Sequence, residues 1–155
     1  MDGDGGATSS RVMGVSPEAV ALVLGDPRTY DGVVVGSRRI RWFDARWPEL
    51  GSRFHHTIGF GPVTIRDHTE VVLDGLPHHL GLAVRLRPLG SAAVDFRIAP
   101  DDGGTRVEMT ETPTSGVLAA TWSPPAAALT RWRNDKVLAR LEELAGQRAH
   151  TAGLA

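Results

Sequence analysis

Across residues 33–111 the apolar side chains recur at every second position, and glycine, proline and aspartate recur between the runs. A period of two sustained over that length confines the chain to a sheet-dominated fold. Six strands are expected, at 33–44, 52–60, 63–73, 79–87, 92–99 and 105–111. Their links are short, so consecutive strands pair antiparallel. Leu80, Leu82, Val84 and Leu86 alternate with Gly81, Ala83, Arg85 and Arg87, and Val94, Phe96 and Ile98 alternate with Asp95 and Arg97. One face of the sheet is therefore apolar and the other wet.

The Gly61-Pro62 step sets one hairpin in register, since a two-residue loop with glycine first suits a type II′ turn. Phe60 then lies opposite Val63, Ile58 opposite Ile65, His56 opposite Asp67 and Phe54 opposite Thr69. On the other face the same register pairs Arg53 with Glu70, opposite charges of the kind that cross-strand neighbours favour.

Residues 125–147 change period to that of a helix. Ala126, Leu129, Thr130, Asn134, Val137, Leu138, Leu141, Leu144 and Ala145 fall on one arc, with Arg131, Asp135, Lys136, Glu142 and Glu143 opposite. Thr130 and Asn134 interrupt that apolar arc. Inside a filled core each needs a partner or costs about 1–3 kcal/mol, whereas a pocket holding a ligand or water supplies one.

The first ten residues are rich in glycine, serine and aspartate and are expected to be disordered, so the domain is expected over 11–147, with 148–155 a flexible tail after a helix stop at Gly146. A short strand at 11–15 leads to Ser16-Pro17, a cap and first-turn proline for a helix over 18–24, and Asp26-Pro27 repeats the signal for a second short helix to about Tyr30. The segment TPTSGVLAATWSPP is expected to cover one mouth of the sheet.

The chain's 155 residues suffice for one domain. Seventeen basic residues, sixteen of them arginine, stand against 18 acidic ones, a net charge of −1 that attracts neither nucleic acid nor an anionic membrane. Without cysteine there is no disulfide, thiolate nucleophile or cysteine metal site. No apolar run would cross a bilayer and no signal peptide is legible, so a soluble, cytoplasmic protein is expected.

In the stretches VSPEAVALVLGDPRTY, WPELGSRFHHTIGFGPVTIRDHTEV, DGLPHHLGLAVR, DDGGTRVEMTETP and LTRWRNDKVLARLEEL, the chain resembles the START-like, or SRPBCC, superfamily, and within it the polyketide cyclase/dehydrase-type branch. The resemblance implies an α+β helix-grip fold: a curved antiparallel seven-stranded sheet wrapped around a long C-terminal helix, with two short helices after the first strand. It also implies a cavity between sheet and helix that takes a small hydrophobic or aromatic molecule. It carries over no catalytic residue. Where many relatives have a tryptophan after the second short helix, this chain reads Tyr30-Asp31-Gly32-Val33, which would widen the entrance or loosen the packing there.

Two functions are open on these residues, a binding or carrier protein and a polyketide cyclase/dehydratase-type enzyme. His56 and Asp67 fall on the otherwise apolar face, where a carboxylate-oriented imidazole would serve as general acid/base, or where a buried polar pair would fix register and ligand orientation. Thr130, Asn134, Thr69 and Glu111 are expected to meet the polar end of a ligand whose body lies on Phe54, Ile58, Leu82, Val84, Phe96, Val107, Met109 and Leu141. His55 and His68 oppose each other on the wet face and His78-His79 opens a strand, but no third ligand is near, so neither metal nor other cofactor is expected. Trp132 points off the apolar arc, to tuck beneath the Trp122 loop or to meet a protein partner. Arg38, Arg39 and Arg41 read as a solvated edge. The oligomeric state is not legible.

Overall fold

The structure, a computed structural model, describes residues 5–33, 37–60 and 62–153. Seven strands form one antiparallel sheet: β1 (Ala7–Met13), β2 (Ser37–Phe43), β3 (Arg53–Phe60), β4 (Val63–Gly75), β5 (His79–Leu86), β6 (Gly90–Asp101) and β7 (Gly104–Ser115). Their order is β1-β7-β6-β5-β4-β3-β2, so all neighbours except β1 and β7 follow each other along the chain. Helices α1 (Pro17–Leu24) and α2 (Tyr30–Val33), joined by one 3-10 turn, lie between β1 and β2; α3 (Gly116–Ala120) and the 29-residue α4 (Pro124–Ala152) end the chain. This is the helix-grip arrangement.

Local chemistry explains the elements. Ser16 caps α1, its hydroxyl accepting from the Ala19 N–H at 3.2 Å, and Gly25 closes the helix on the Ala21 carbonyl. Asp26 does the same for the next turn, accepting from the Arg28 N–H at 3.0 Å. The β3–β4 register is the expected one at every pair from Arg53 with Glu70 to Phe60 with Val63. The Arg53 guanidinium donates to Glu70 Oε1 at 2.6 Å on the outer face. Gly61, the expected first residue of that turn, lies outside the described residues.

Several boundaries differ from expectation. The sheet starts at Ala7, because Ala7–Ser10 pair with Glu111–Glu108 and bury Ala7 and Ser9. Val33 closes α2 rather than opening a strand, and residues 34–36 of the expected strand lie outside the described residues. Strand β7 runs on to Ser115, so the expected covering loop opens with the end of that strand, and α3 follows it. Here Gly90 and Gly116 bridge, and a Cβ on Gly90 would stand 2.0 Å from the Ser115 carbonyl oxygen, an approach only glycine allows. Helix α4 passes through Gly146 and stops at Gly153, whose φ of 71° is the left-handed stop. Its last turns are anchored, since Ala149 is buried and Arg148 donates to Asp26.

The core lies between the sheet's concave face and the helices. Val20, Val23 and Leu24 of α1 and Val137, Leu138, Leu141 and Ala145 of α4 pack with Met13, Leu80, Leu82, Phe96 and Val107. Helix α4 leans mainly on β1, α1, α2 and β7. Its face differs from the expected arc at one place: Leu129 is 65% exposed, and Ala127 is buried instead.

Candidate functional site

The alternation of β3 and β4 turns Phe54, His56 and Ile58, and Ile65, Asp67, Thr69 and Val71, to the concave face, and all seven are buried. His56 and Asp67 are direct cross-strand partners. They do not form the expected hydrogen-bonded pair. Arg87, just past β5, takes the Asp67 carboxylate: its Nε donates to Oδ2 and its Nη2 to Oδ1, both at 3.0 Å, while its backbone N–H donates to Oδ2 at 2.9 Å. The His68 N–H adds a fourth bond to Oδ1 at 2.9 Å. Burial acts to raise the Asp67 pKa, but the Arg87 guanidinium and these backbone donors outweigh it and hold the carboxyl at about 2.

Among the described residues His56 makes no hydrogen bond of full geometry, although the His68 main chain lies near enough to favour the protonated ring. His56 is 2% exposed, and neither Nδ1 nor Nε2 has a hydrogen-bond partner among the described residues. Its ring lies edge-on to Phe54 at 5.9 Å, and Phe54 in turn packs on Tyr30 and Trp47. Burial lowers its pKa to about 4, against the raising influence of the His68 backbone and the Asp67 charge. At neutral pH the imidazole is thus uncharged, with one nitrogen to donate and one to accept. Arg41, expected as part of a solvated edge, instead reaches from a bulge in β2 to the main-chain oxygens of His56, at 3.3 Å, and Asp67, at 3.4 Å.

Asn134 of α4 is the second such group: it is fully buried, and neither Oδ1 nor Nδ2 has a partner among the described residues. Its helix has little freedom to turn it elsewhere. Glu142 accepts from the Arg11 Nε at 2.7 Å and the Gly14 N–H at 3.0 Å, Ser9 donates its hydroxyl to the Arg131 carbonyl at 3.2 Å, and Arg133 bonds Glu111.

Of the residues expected to line the site, Phe54, Ile58, Thr69, Leu82, Phe96, Val107, Met109 and Leu141 are buried, and Val84 is half-buried. Two expected polar contacts are used elsewhere. The Thr130 hydroxyl donates to its own helix at the Ala126 carbonyl, 2.9 Å away, and Glu111 is the partner of Arg133. Arg87, Arg41, Tyr30 and Trp47 were missed. Tyr30, at the departure from the related pattern, neither widens nor loosens that corner: it is buried, donates its hydroxyl to the Leu24 carbonyl at 2.9 Å and packs on Trp47.

The remaining candidates stand apart. His55 and His68 face each other with centroids 5.8 Å apart beside the exposed Trp42, while His79 bonds Asp95. Among the described residues no three histidines or carboxylates converge as a metal site. Trp132 is 56% exposed under the Lys136 ammonium and does not tuck beneath the Trp122 loop. No helix of the described residues is long and apolar enough to cross a membrane.

No protein-family profile and no curated protein sequence matches the chain. Solved structures do. A protein of Rhodobacter sphaeroides superposes with a TM-score of 0.70 at 18% identity, over 92% of this chain and 93% of its own. The di-domain ARO/CYC StfQ of the steffimycin biosynthetic pathway gives 0.71 at 11% identity, over 94% of this chain and 51% of its own, so this chain matches about half of the di-domain. Ara h 8.0201 gives 0.67 at 9% identity, over 92% and 97%. At such identities the likeness is one of fold.

Proposed function

From the helix-grip fold that this chain shares with StfQ and Ara h 8.0201, we propose that it binds a small, uncharged, largely apolar or aromatic molecule between the sheet and α4, as a binding or carrier protein. The observation that carries this reading is the pair of buried side chains His56 and Asn134, four of whose polar atoms have no partner among the described residues. Leaving such groups unsatisfied costs about 1–3 kcal/mol each. Native cores keep few such groups, and those they keep mark strained or functional sites or are met by an ordered water, an ion or a ligand. Between them, a neutral imidazole and an amide offer donors and acceptors, which suits a ligand hydroxyl or carbonyl.

Charge supports the uncharged class. Asp67, Glu111 and Asp26 each have an arginine within the chain, and those arginines are occupied in turn. Among the described residues the one further guanidinium beside His56 and Asp67 is that of Arg41, which is turned to their main-chain oxygens, so a ligand carboxylate would be desolvated with little compensation. The ligand's apolar body would rest on Phe54, Ile58, Leu82, Phe96 and Leu141, all buried in the chain alone.

Native mass spectrometry of the full chain tests this, with 2-naphthol and naphthalene-2-carboxylate as probes. The expected result is a complex with 2-naphthol, none with the carboxylate, and at least tenfold weaker retention in Asn134→Leu. Binding equal in wild type, His56→Leu and Asn134→Leu would overturn it, as would a wild type that takes up no neutral aromatic molecule.

A cyclase/dehydratase using His56 and Asp67 as acid and base is the second reading, favoured by their cross-strand pairing and the likeness to StfQ. It ranks second because Asp67 is engaged by Arg87 and gives the imidazole no orienting bond. Turnover of a polyketide-like substrate that Asp67→Asn abolishes would reverse that order.

A further inference from the structure

We propose that Arg87 is a positioning residue: by clamping Asp67 it keeps the carboxylate off His56, and its release converts a lone imidazole into a carboxylate-oriented one. The inference takes His56 as the ligand-facing group of the site proposed above.

The geometry places the two groups one cross-strand step apart on the same face. Side chains so paired have Cβ atoms about 5 Å apart, within reach of a hydrogen bond between an aspartate and a histidine. That bond is not made, because two of the four donors on Asp67 come from the Arg87 guanidinium. The other two are main-chain N–H groups of Arg87 and His68, which stay in place whatever the side chain does. The guanidinium is the solvent-facing part of the clamp: the Asp67 side chain is fully buried, whereas that of Arg87 is 67% exposed. Rotation of Arg87 into water frees one lone pair on each carboxylate oxygen and removes the compensating charge. His68 Nδ1, already 3.4 Å from Oδ1, can take the place vacated there, which leaves Oδ2 for His56, the direct cross-strand partner whose ring nitrogens have no partner among the described residues.

Other charges around His56 do not compete for this role. Arg41 of β2 is directed at main-chain oxygens, and the His68 ring of β4, tilted against His55, approaches only Oδ1 of Asp67, at 3.4 Å, and not the Oδ2 that Arg87 Nε holds. From α4, Arg133 is engaged by Glu111, and Asn134, Val137, Leu138 and Leu141 are the buried residues of that stretch. Acid–base chemistry needs the oriented imidazole, while a neutral binding group does not. Arg87 therefore determines which of the two chemistries the site can offer.

The test is an NMR pH titration of the His56 imidazole in the ligand-free full chain, for wild type, Arg87→Ala and Arg87→Lys. Wild type is expected to remain neutral until about pH 4. Arg87→Ala should move the His56 midpoint up by about 1–3 pH units, the effect of a carboxylate brought into contact. Arg87→Lys, which keeps the charge but not the fork, should move it less, in the same direction. A midpoint unchanged in either folded variant, or a rise confined to the Asp67 carboxyl, would overturn the proposal. Because no ligand is present, failure here leaves the binding reading standing, and failure of the binding probes leaves this titration interpretable.

Discussion

His56 and Asp67 stand directly opposite each other on β3 and β4, yet the carboxylate is turned to Arg87 and the imidazole has no hydrogen-bond partner among the described residues. A buried carboxylate has been completed by an exposed guanidinium next to a buried polar group left open. That asymmetry makes His56, with Asn134, a cost to the fold that a bound molecule would offset.

Replacing either open group by an apolar one should therefore stabilise the protein and impair binding together. His56→Leu and Asn134→Leu are each expected to gain about 1–3 kcal/mol at pH 7 in chemical denaturation, the penalty of the unsatisfied atoms removed. Each should also lose at least tenfold in affinity for a neutral aromatic ligand. Loss of stability in both variants would mean that the atoms are satisfied in solution.

Acid should weaken the fold in two stages. The His56 imidazole takes up a proton near 6.5 when unfolded but only near 4 when folded. Between those values the unfolded chain binds more protons, so stability falls as pH falls, by on the order of 3 kcal/mol in all. Asp67 and Asp26 are held at about 2, so what they contribute is lost only below about pH 4. Denaturation measured from pH 7.5 to 3 should show both stages in wild type and only the second in His56→Leu.

The β3–β4 register and the inward placement of His56 and Asp67 were legible because period two and one charged pair, Arg53 with Glu70, determine both faces of a hairpin. The partner of Asp67 was not. Arg87 lies beyond the end of β5, and no pattern in sequence says that its backbone and side chain turn back together onto a carboxylate of β4. Asn134 was found as a polar break in a helical arc, whereas Thr130, the same kind of break, satisfies itself on Ala126. Helical periodicity places a side chain on a face but does not say whether its hydroxyl folds back. The termini were misread for want of local signal: Ala7–Ser10 are ordered by β7, and Arg148 by Asp26, partners about a hundred residues or more away in the chain.

Thr130→Val separates the two polar residues of the arc. Since the Thr130 hydroxyl already bonds the Ala126 carbonyl, the change should alter ligand affinity less than threefold in the titration that shows at least a tenfold loss for Asn134→Leu. Equal losses would place Thr130 in the site after all.

The anchored end of α4 predicts that the last residues matter. Deleting residues 148–155 removes the bond from Arg148 to Asp26 and the burial of Ala149, and should cost about 1.5–3 kcal/mol, the range for a hydrogen bond to a charged group. Arg148→Ala should account for most of it. An unchanged melting temperature in the deletion would show that this end is free.

The most direct measurement follows the His56 ring nitrogens and the Asn134 side-chain amide by NMR while a neutral hydroxylated aromatic such as 2-naphthol is added. Both sets of signals should shift together and saturate at one equivalent, with naphthalene-2-carboxylate leaving them in place. Signals at both side chains that stay fixed while the probe binds elsewhere, or fails to bind, would contradict a ligand site built on these two residues.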